Sequence, residues 1–165
     1  MTVTRTEDNG LTLILDRLID APRPVVWRCW TEADLLKRWY CPAPWWVSEA
    51  DLDPRVGGRM NCVMQGPAGE RIDVVGCILE VVDLERLTFT DAFTEGFRPQ
   101  PSSFMTGFVN LSDEGEGQTR MIWGARHSSL EDVQKHLDMG FEGGWTAASG
   151  QLDALASDLA TRRRD

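Results

Sequence analysis

The sequence predicts an α+β domain in which an antiparallel sheet is covered on one face by helices. Six β-rich segments in the middle of the chain are separated by turn residues, as is typical of antiparallel strands. Residues 141–159 repeat apolar and small residues at spacings of three and four, which is one face of an amphipathic helix. At 165 residues the chain is long enough for one domain with a real core. An antiparallel sheet with helices on one face is the simplest way to bury both surfaces.

One strand and two short helices precede the six strands. Residues 1–10 are polar and are expected to be frayed. Residues 11–19 are β-rich and mostly apolar, and the following Asp-Ala-Pro-Arg-Pro ends the strand and opens a helix. A second short helix is predicted over residues 31–39, so the order begins with one strand and two helices.

The six predicted strands share β-forming residues bounded by Gly, Pro, Asp or Ser. They are placed at about residues 45–53, 58–65, 70–82, 85–93, 102–112 and 117–127. The segments between them contain residues that tolerate turn dihedrals. The complete predicted order is therefore one strand, two helices, six strands and a terminal helix.

A short helix is predicted to lead into the terminal helix. Ser129, three residues before Asp132, is a suitable N-cap. Three glycines then interrupt the helical pattern at roughly 1 kcal/mol each relative to alanine; they are Gly140, Gly143 and Gly144. The buried face is expected to contain Phe141, Trp145, Ala148, Leu152, Leu155, Ala156 and Leu159. The opposite, water-facing side is expected to contain Thr146, Ser149, Asp153, Ser157 and Asp158.

Charge and composition exclude several classes of function. A net charge of −9 argues against a nucleic-acid partner, which requires a basic patch. The basic residues 162–164 are interpreted as a solvated helix end. No apolar run approaches the roughly 18 residues of a membrane span. Four cysteines without a C-x-x-C pair, and an N-terminus without an apolar signal region, predict a cytoplasmic protein.

Four stretches of the chain carry its most distinctive patterns: DRLIDAPRPVVWRCWTEADLLKRWY, DPRVGGRMNCVM, GCILEVVDLERLTFTD and GFEGGWTAASGQLDALASDL. Their most specific pieces are the Ala-Pro before the first helix, Trp39-Tyr40, Gly57-Gly58 and Gly144-Trp145. In these stretches and in the order of its elements, the chain resembles the START-like (SRPBCC) superfamily of helix-grip proteins over about residues 11–159. Within that superfamily, it is similar to the branch grouped with the C-terminal domain of the heat-shock-protein-90 ATPase activator.

The resemblance implies a helix-grip fold, in which a curved antiparallel sheet wraps around the long C-terminal helix. Residues 1–165 would then be a single START-like domain, with an ordered core at about residues 11–160. An elongated apolar cavity is expected between sheet and helix. Members of the superfamily bind lipids, sterols, polyketides or hormones, and some cyclise polyketides. Asp91 departs from the pattern, because relatives often place an aromatic residue there.

A ligand-binding set follows from the aromatic and methionine content together with the resemblance. Large aromatic side chains supply apolar area, and methionines adapt to irregular ligands. The predicted ligand-binding residues are Trp39, Tyr40, Met64, Phe89, Asp91, Trp123, Phe141 and Trp145. The competing interpretation is that these side chains simply fill the core.

Ionisable residues offer a second kind of site. An ion pair or a general acid at the cavity could come from Glu49, Asp51, Asp53, Asp91, Arg55, Arg59, Arg71, Arg120 or Arg126, although exposed sheet charges are the simpler interpretation. His127 at a strand end and His136 on the lead-in helix form no metal motif, so no metal and no cofactor are expected. Hydrolase elbows, P-loops and dinucleotide fingerprints do not occur.

Three functions are compatible with these observations. The leading one is non-catalytic binding of a small apolar or aromatic molecule in the cavity. A cyclase-type enzyme would use Asp91 with Tyr40 or Arg126, and would need a buried ionisable pair in the cavity. A protein-interaction module, co-chaperone-like, would instead need an exposed apolar patch. Homodimerisation is a further hypothesis, because one of the adjacent Trp45 and Trp46 must face away from the cavity.

Overall fold

The computed structural model describes residues 2–162. Their strands and helices follow the predicted succession, but there are four more strands than predicted. The strands are β1 (Thr2–Glu7), β2 (Thr12–Ile19), β3 (Trp46–Leu52), β4 (Met60–Gln65), β5 (Arg71–Val74), β6 (Cys77–Val82), β7 (Arg86–Thr90), β8 (Phe93–Thr94), β9 (Arg98–Pro99), β10 (Thr106–Asp113) and β11 (Thr119–Arg126). The helices are α1 (Arg23–Thr31), α2 (Ala33–Leu36), α3 (Leu130–Asp138) and α4 (Phe141–Arg162).

Two antiparallel sheets and a two-stranded ribbon of β8 and β9 make up the β part of residues 2–162. The larger has six strands in the order β1-β2-β11-β10-β7-β6, and the smaller has the order β3-β4-β5. A bridge between Arg59 and Cys77 joins the two sheets. The long helix α4 packs against α1 and β2, on the inner side of the large sheet. This arrangement confirms the predicted α+β class and the helix-grip fold.

The prediction of a frayed N-terminus is wrong. Residues 2–7 form β1, which pairs with β2 along its whole length, from Thr2 opposite Arg17 to Glu7 opposite Thr12. Asp8, Asn9 and Gly10 connect the two strands with positive φ angles. Asn-Gly between two β-forming segments is a strong hairpin signal, and it outweighs the polar composition of this segment.

The predicted single strand over residues 70–82 is two strands in different sheets. β5 ends at Val74 in the small sheet, and β6 begins at Cys77 in the large one. Gly76 lies at the change of sheet, where an added Cβ would lie 3.0 Å from the carbonyl oxygen of Thr90 and 3.1 Å from that of Met60. Glycine suits this close approach of the backbones, because a Cβ here would push both carbonyl groups away by a few tenths of an ångström.

The terminal helix buries most of its predicted apolar face. Leu152 and Ala156 are fully buried, whereas Trp145 and Leu159 are only partly covered. Ser149, predicted to face water, is also fully buried. Its hydroxyl donates to the carbonyl of the residue three before it, Thr146, at 3.0 Å, which satisfies the polar group inside the core.

The glycines near the start of α4 do not all weaken it. Gly140 has a φ of +93° and separates α3 from α4, whereas Gly143 and Gly144 lie within the first turn of α4.

At the C-terminal end of α4, Arg162 pairs with Asp158 at 3.1 Å. The rest of the predicted basic helix end, residues 163–164, lies outside the described residues. Along residues 2–162, none of the helices combines the length and the apolar character needed to cross a membrane.

Candidate functional site

Two adjoining cavities lie between the helices and the sheets. The first, named the helix cavity, has a volume of about 290 Å³. Its walls contain Tyr40, Cys41, Pro42, Met64, Val74, Met105, Trp123, His136, Met139, Gly140, Phe141, Gly144, Trp145 and Ala148. The second, named the strand cavity, has a volume of about 270 Å³. Its walls contain Leu36, Tyr40, Met60, Asn61, Cys62, Ile72, Val74, Val75, Gly76, Phe89, Thr90, Asp91, Phe104, Met105 and Met139.

The two cavities meet along a common wall. Tyr40, Val74, Met105 and Met139 line both of them. Met139 lies between α3 and α4 with 69% of its surface exposed, so it marks the rim at which both cavities open to solvent. The two cavities are therefore neighbours with a shared part of their lining, and both are mostly apolar.

Stacked aromatic rings form the rigid side of the helix cavity. The indoles of Trp123, from β11, and Trp145, from α4, are 3.8 Å apart and nearly parallel. Phe141 lies one helical turn before Trp145, with ring centroids 4.8 Å apart. Tyr40 approaches Trp123 from the segment after α2, at 6.0 Å. Residues from three distant parts of the chain thus build one aromatic wall.

Trp39 lines neither cavity, which differs from the prediction. It is fully buried, and its Nε1 donates to the carbonyl oxygen of Cys29 at 2.8 Å. Its ring contacts Trp30 at 4.7 Å and Trp123 at 5.7 Å. Trp39 therefore supports the aromatic wall from behind, while its neighbour Tyr40 faces the cavities.

Tyr40 brings a polar group to the place where the cavities meet. Within residues 2–162 its hydroxyl has no hydrogen-bond partner. Burial raises the pKa of Tyr40 far above its usual value. The hydroxyl therefore keeps its proton and can donate to, or accept from, a molecule in the cavity.

Asp91 lines the strand cavity, but its carboxylate is occupied. It accepts hydrogen bonds from the backbone N–H of Phe104 at 2.9 Å, the N–H of Met105 at 3.2 Å and the hydroxyl of Ser103 at 3.0 Å. Phe104 and Met105 are themselves wall residues, so Asp91 holds part of the wall in place. Among the described residues, neither Tyr40 nor Arg126 is bonded to Asp91.

The other acidic and basic candidates belong to the surface of the sheets. Arg126 lies over the ring of Phe108, 4.1 Å from its centroid. Exposed or partly exposed ion pairs hold most of the rest: Arg59 with Asp51 and Glu95, Arg55 with Asp53, Arg71 with Asp73, and Arg120 with Asp16. The simpler interpretation of these charges, as solvated sheet residues, agrees with their positions.

A histidine pair at the helix cavity was not predicted. His127 follows β11 and His136 lies on α3, and both are buried. Nδ1 of His127 is 2.9 Å from the carbonyl oxygen of Phe104, and Nε2 of His127 is 3.0 Å from Nδ1 of His136. Burial, and then the neighbouring His127, lower the pKa of His136 to about 4. The sequence offers no signal for this pair, since nine residues and a turn separate its members.

Sequence reasoning also missed part of the apolar wall. Met60 lines the strand cavity and Met64 the helix cavity, so the two methionines of β4 serve different spaces. Cys41 and Cys62 lie in the walls as well, and burial raises the pKa of the Cys62 thiol to about 12. A thiol with so high a pKa is a poor nucleophile.

Among the described residues, no group of three or more His, Cys, Asp or Glu side chains is placed to hold a metal ion.

The fold and the cavity define a helix-grip protein of the START-like type. Residues 20–157 match the family described as "Activator of Hsp90 ATPase homolog 1-like protein". The chain belongs to this family, because the match covers most of its length.

Solved structures support the same conclusion. A protein of Nitrosomonas europaea is 38% identical, with a TM-score of 0.88 over 92% of this chain and 97% of that one. A protein of Mycobacterium smegmatis is 27% identical, with a TM-score of 0.79 over 94% and 96%. A protein of Arthrobacter aurescens is 26% identical, with a TM-score of 0.81 over 94% and 91%. No match was found among the curated proteins with which the sequence was compared.

Proposed function

We propose that the protein binds a small apolar or aromatic molecule in the joined helix and strand cavities, without converting it chemically. The observation that carries this proposal is the wall itself: stacked indoles on one side, methionines on the other, and very few polar atoms between them. Ligand sites in proteins have this composition, with a small number of polar groups that fix orientation.

Burial of apolar surface supplies one part of the binding free energy. A ligand that buries about 200 Å² of apolar surface gains roughly 5 kcal/mol at about 25 cal/mol per Å². Association entropy reduces this gain, so micromolar affinity also requires a good fit between ligand and wall. The rigid aromatic side favours flat, ring-containing molecules, and the methionine side adapts to their outline.

Two glycines at the start of α4 allow a matched test. Gly144 lines the helix cavity, and a Cβ added there would meet only Pro42, at 3.9 Å. The Cβ of Gly144→Leu would therefore not clash, and the rest of the leucine side chain should occupy part of the helix cavity. Gly143 is exposed, does not line the cavity and has no neighbour near an added Cβ. Gly143→Leu is thus the control, and both changes favour the helix by up to about 1 kcal/mol.

The experiment is a titration with fatty acids, sterols and aromatic polyketide mimics, followed by tryptophan fluorescence and melting temperature. Native mass spectrometry of protein purified from its own host would show a retained ligand. We expect binding to weaken at least roughly tenfold in Gly144→Leu and to be retained in Gly143→Leu. If no compound changes either signal, or if both variants bind as the wild type does, the proposed site is wrong.

The histidine pair favours a cyclase-type enzyme as the second candidate. Proton chemistry needs a buried ionisable pair at the cavity. His136 lines the helix cavity and is hydrogen-bonded to the buried His127 behind it, whereas Asp91 is held by backbone donors. Product analysis of any ligand found by the titration separates the two functions. If the wild type converts the ligand and His136→Phe does not, the protein is an enzyme and the proposal of binding without conversion is wrong.

A protein-interaction function is suggested by the family's name. The loops around Gly57 and Gly96 are joined by a backbone hydrogen bond, Gly96 N–H to the Gly57 carbonyl, at 2.9 Å. The exposed side chains of Val56 and Phe97 lie beside this contact. A co-chaperone-like role would be supported if the wild type stimulates ATP hydrolysis by Hsp90 and the double variant Val56→Ser, Phe97→Ser does not.

A further inference from the structure

The protons of the histidine pair can be assigned from its hydrogen bonds. The carbonyl oxygen of Phe104 only accepts, so Nδ1 of His127 carries the hydrogen and donates to it at 2.9 Å. In a neutral imidazole the other nitrogen is then an acceptor. Nε2 of His127 therefore accepts from Nδ1–H of His136 at 3.0 Å, and Nε2 of His136 carries no hydrogen.

This bare nitrogen meets the helix cavity. His136 lines that cavity, and only 6% of its surface is exposed. Contacts with the rings of Phe141 and Trp145, at 5.2 and 5.5 Å, hold its imidazole in one orientation together with the His127 hydrogen bond. Within residues 2–162, Nε2 of His136 has no partner and is not fully enclosed by protein atoms. It presents a lone pair to whatever occupies the cavity.

A donor without an acceptor lies in the same wall. Trp123 lines the helix cavity, and its Nε1–H is buried without a hydrogen-bond partner among the described residues. A buried unpaired N–H is costly. Protein atoms enclose this N–H, so it does not reach a ligand, and a hydroxyl group suits the wall because it can donate to Nε2 of His136.

The walls are unsuited to a ligand carboxylate. Asp91 is the one charged side chain in the walls formed by residues 2–162, and neither lysine nor arginine lines either cavity. An anion would lose its hydration there without gaining a cation, which is strongly unfavourable. The lowered pKa of His136, about 4, also keeps its imidazole neutral near physiological pH.

We infer that the cavity selects neutral apolar molecules bearing a hydroxyl group, and that the hydroxyl donates its hydrogen bond to Nε2 of His136, a polar acceptor held in place by His127 and the Phe104 carbonyl. This inference rests on the proposed function and adds the chemical class of the ligand. Alcohols and phenols belong to that class, whereas carboxylates and hydrocarbons without a donor do not.

The test compares three ring compounds of one shape by calorimetric titration at about pH 7.5, where an ordinary imidazole is neutral. They are naphthol, the fluoronaphthalene with fluorine at the same ring position, and the corresponding naphthoate. We expect naphthoate to bind most weakly to the wild type. In His136→Phe, the affinity of naphthol relative to fluoronaphthalene should fall roughly 3- to 10-fold, the value of one neutral hydrogen bond.

Met64→Ala is the matched control, since Met64 lines the helix cavity and is not one of the residues that orient the His136 imidazole. It should weaken naphthol and fluoronaphthalene equally. If His136→Phe also weakens both equally, or if naphthoate binds best, the inference is wrong while the apolar-ligand proposal stands. If the wild type binds none of the three compounds, both proposals fail for ligands of this size.

Nitrogen NMR of the wild-type protein tests the proton assignment without any variant. The expected spectrum shows His136 with its hydrogen on Nδ1 and an unprotonated Nε2. A His136 with its hydrogen on Nε2 would present a donor to the cavity and would overturn the inference, even if the variants were too unstable to study.

Discussion

A single amide side chain, that of Gln151, holds the segment that carries Tyr40 against the terminal helix. Its Nε2 donates to the carbonyl oxygens of Trp39 at 3.0 Å and Cys41 at 2.9 Å, and its Oε1 accepts from the N–H of Ala43 at 3.0 Å. Every hydrogen-bonding group of the amide is thereby directed to backbone on either side of Tyr40. The position of the tyrosine ring in the cavity wall depends on these contacts.

The histidine pair should give the protein a specific sensitivity to acid. The pKa of His136 falls from 6.5 in the unfolded chain to about 4 in the folded protein. Between these values the unfolded state binds the proton and the folded state does not, so stability is highest above pH 6.5 and declines as the pH falls toward about 4. We expect His136 to account for a loss on the order of 2–3 kcal/mol across this window.

Urea unfolding of the wild type and of His136→Phe at a series of pH values would measure this contribution. Carboxylates such as Asp16, whose pKa is lowered by the hydrogen bond from Arg120, titrate in both proteins and cancel in the comparison. The variant should therefore show a shallower decline between pH 6.5 and 4. Parallel curves would mean that His136 does not have a lowered pKa.

At the scale of the elements, α4 should contribute to stability mainly through Leu152. This side chain is fully buried against the core formed with α1 and the large sheet. Leu152→Ala is expected to reduce the free energy of unfolding by about 2–5 kcal/mol, as loss of a buried leucine does. Urea melts provide the measurement.

The control for this prediction is the same substitution at an exposed site. Leu130, at the start of α3, has 63% of its surface exposed, so Leu130→Ala should change the free energy of unfolding by about 0.5 kcal/mol or less. A similar small effect of Leu152→Ala would contradict the burial of α4.

At the scale of the whole molecule, the strand cavity exists because the strands around it belong to two sheets rather than forming one sheet. The walls of that cavity come from β4 and β5 of the small sheet and from β7 of the large one, with Gly76 at the change between them. A single continuous sheet would place these side chains on one surface. Dividing the strands between two sheets lets their inner faces enclose a space instead.

Self-association is the prediction that belongs to the whole molecule. Trp46, on the edge strand β3, has 47% of its surface exposed, whereas Trp45 is partly covered. We propose that a second copy covers Trp46 in a symmetric dimer, because a large exposed aromatic on a strand edge favours association. Sedimentation should show dimers of the wild type at high micromolar concentration and monomers of Trp46→Lys. A wild type that stays monomeric at such concentrations would argue against the dimer.

Patterns in the sequence indicate much of the order of elements, though not β1 or the division of residues 70–82 into two strands, together with the apolar face of α4. Alternation along a strand and the helical repeat are local properties, so Trp123, Phe141 and Trp145 could be assigned to inner faces without the structure. The resemblance then placed these faces around one space. The Asn-Gly turn after β1 was an equally local signal, and it was present in the sequence although the composition of residues 1–10 argued otherwise.

Only the tertiary structure decided which polar groups are free to meet a ligand. The sequence makes Asp91 a candidate for proton transfer, but the backbone N–H groups of Phe104 and Met105 occupy its carboxylate. His127 and His136 form no motif in the sequence, yet they lie in hydrogen-bond contact beside the helix cavity. The reason is physical: the availability of a donor or acceptor depends on which partners the folded chain brings to it, and those partners come from other segments that no local pattern records.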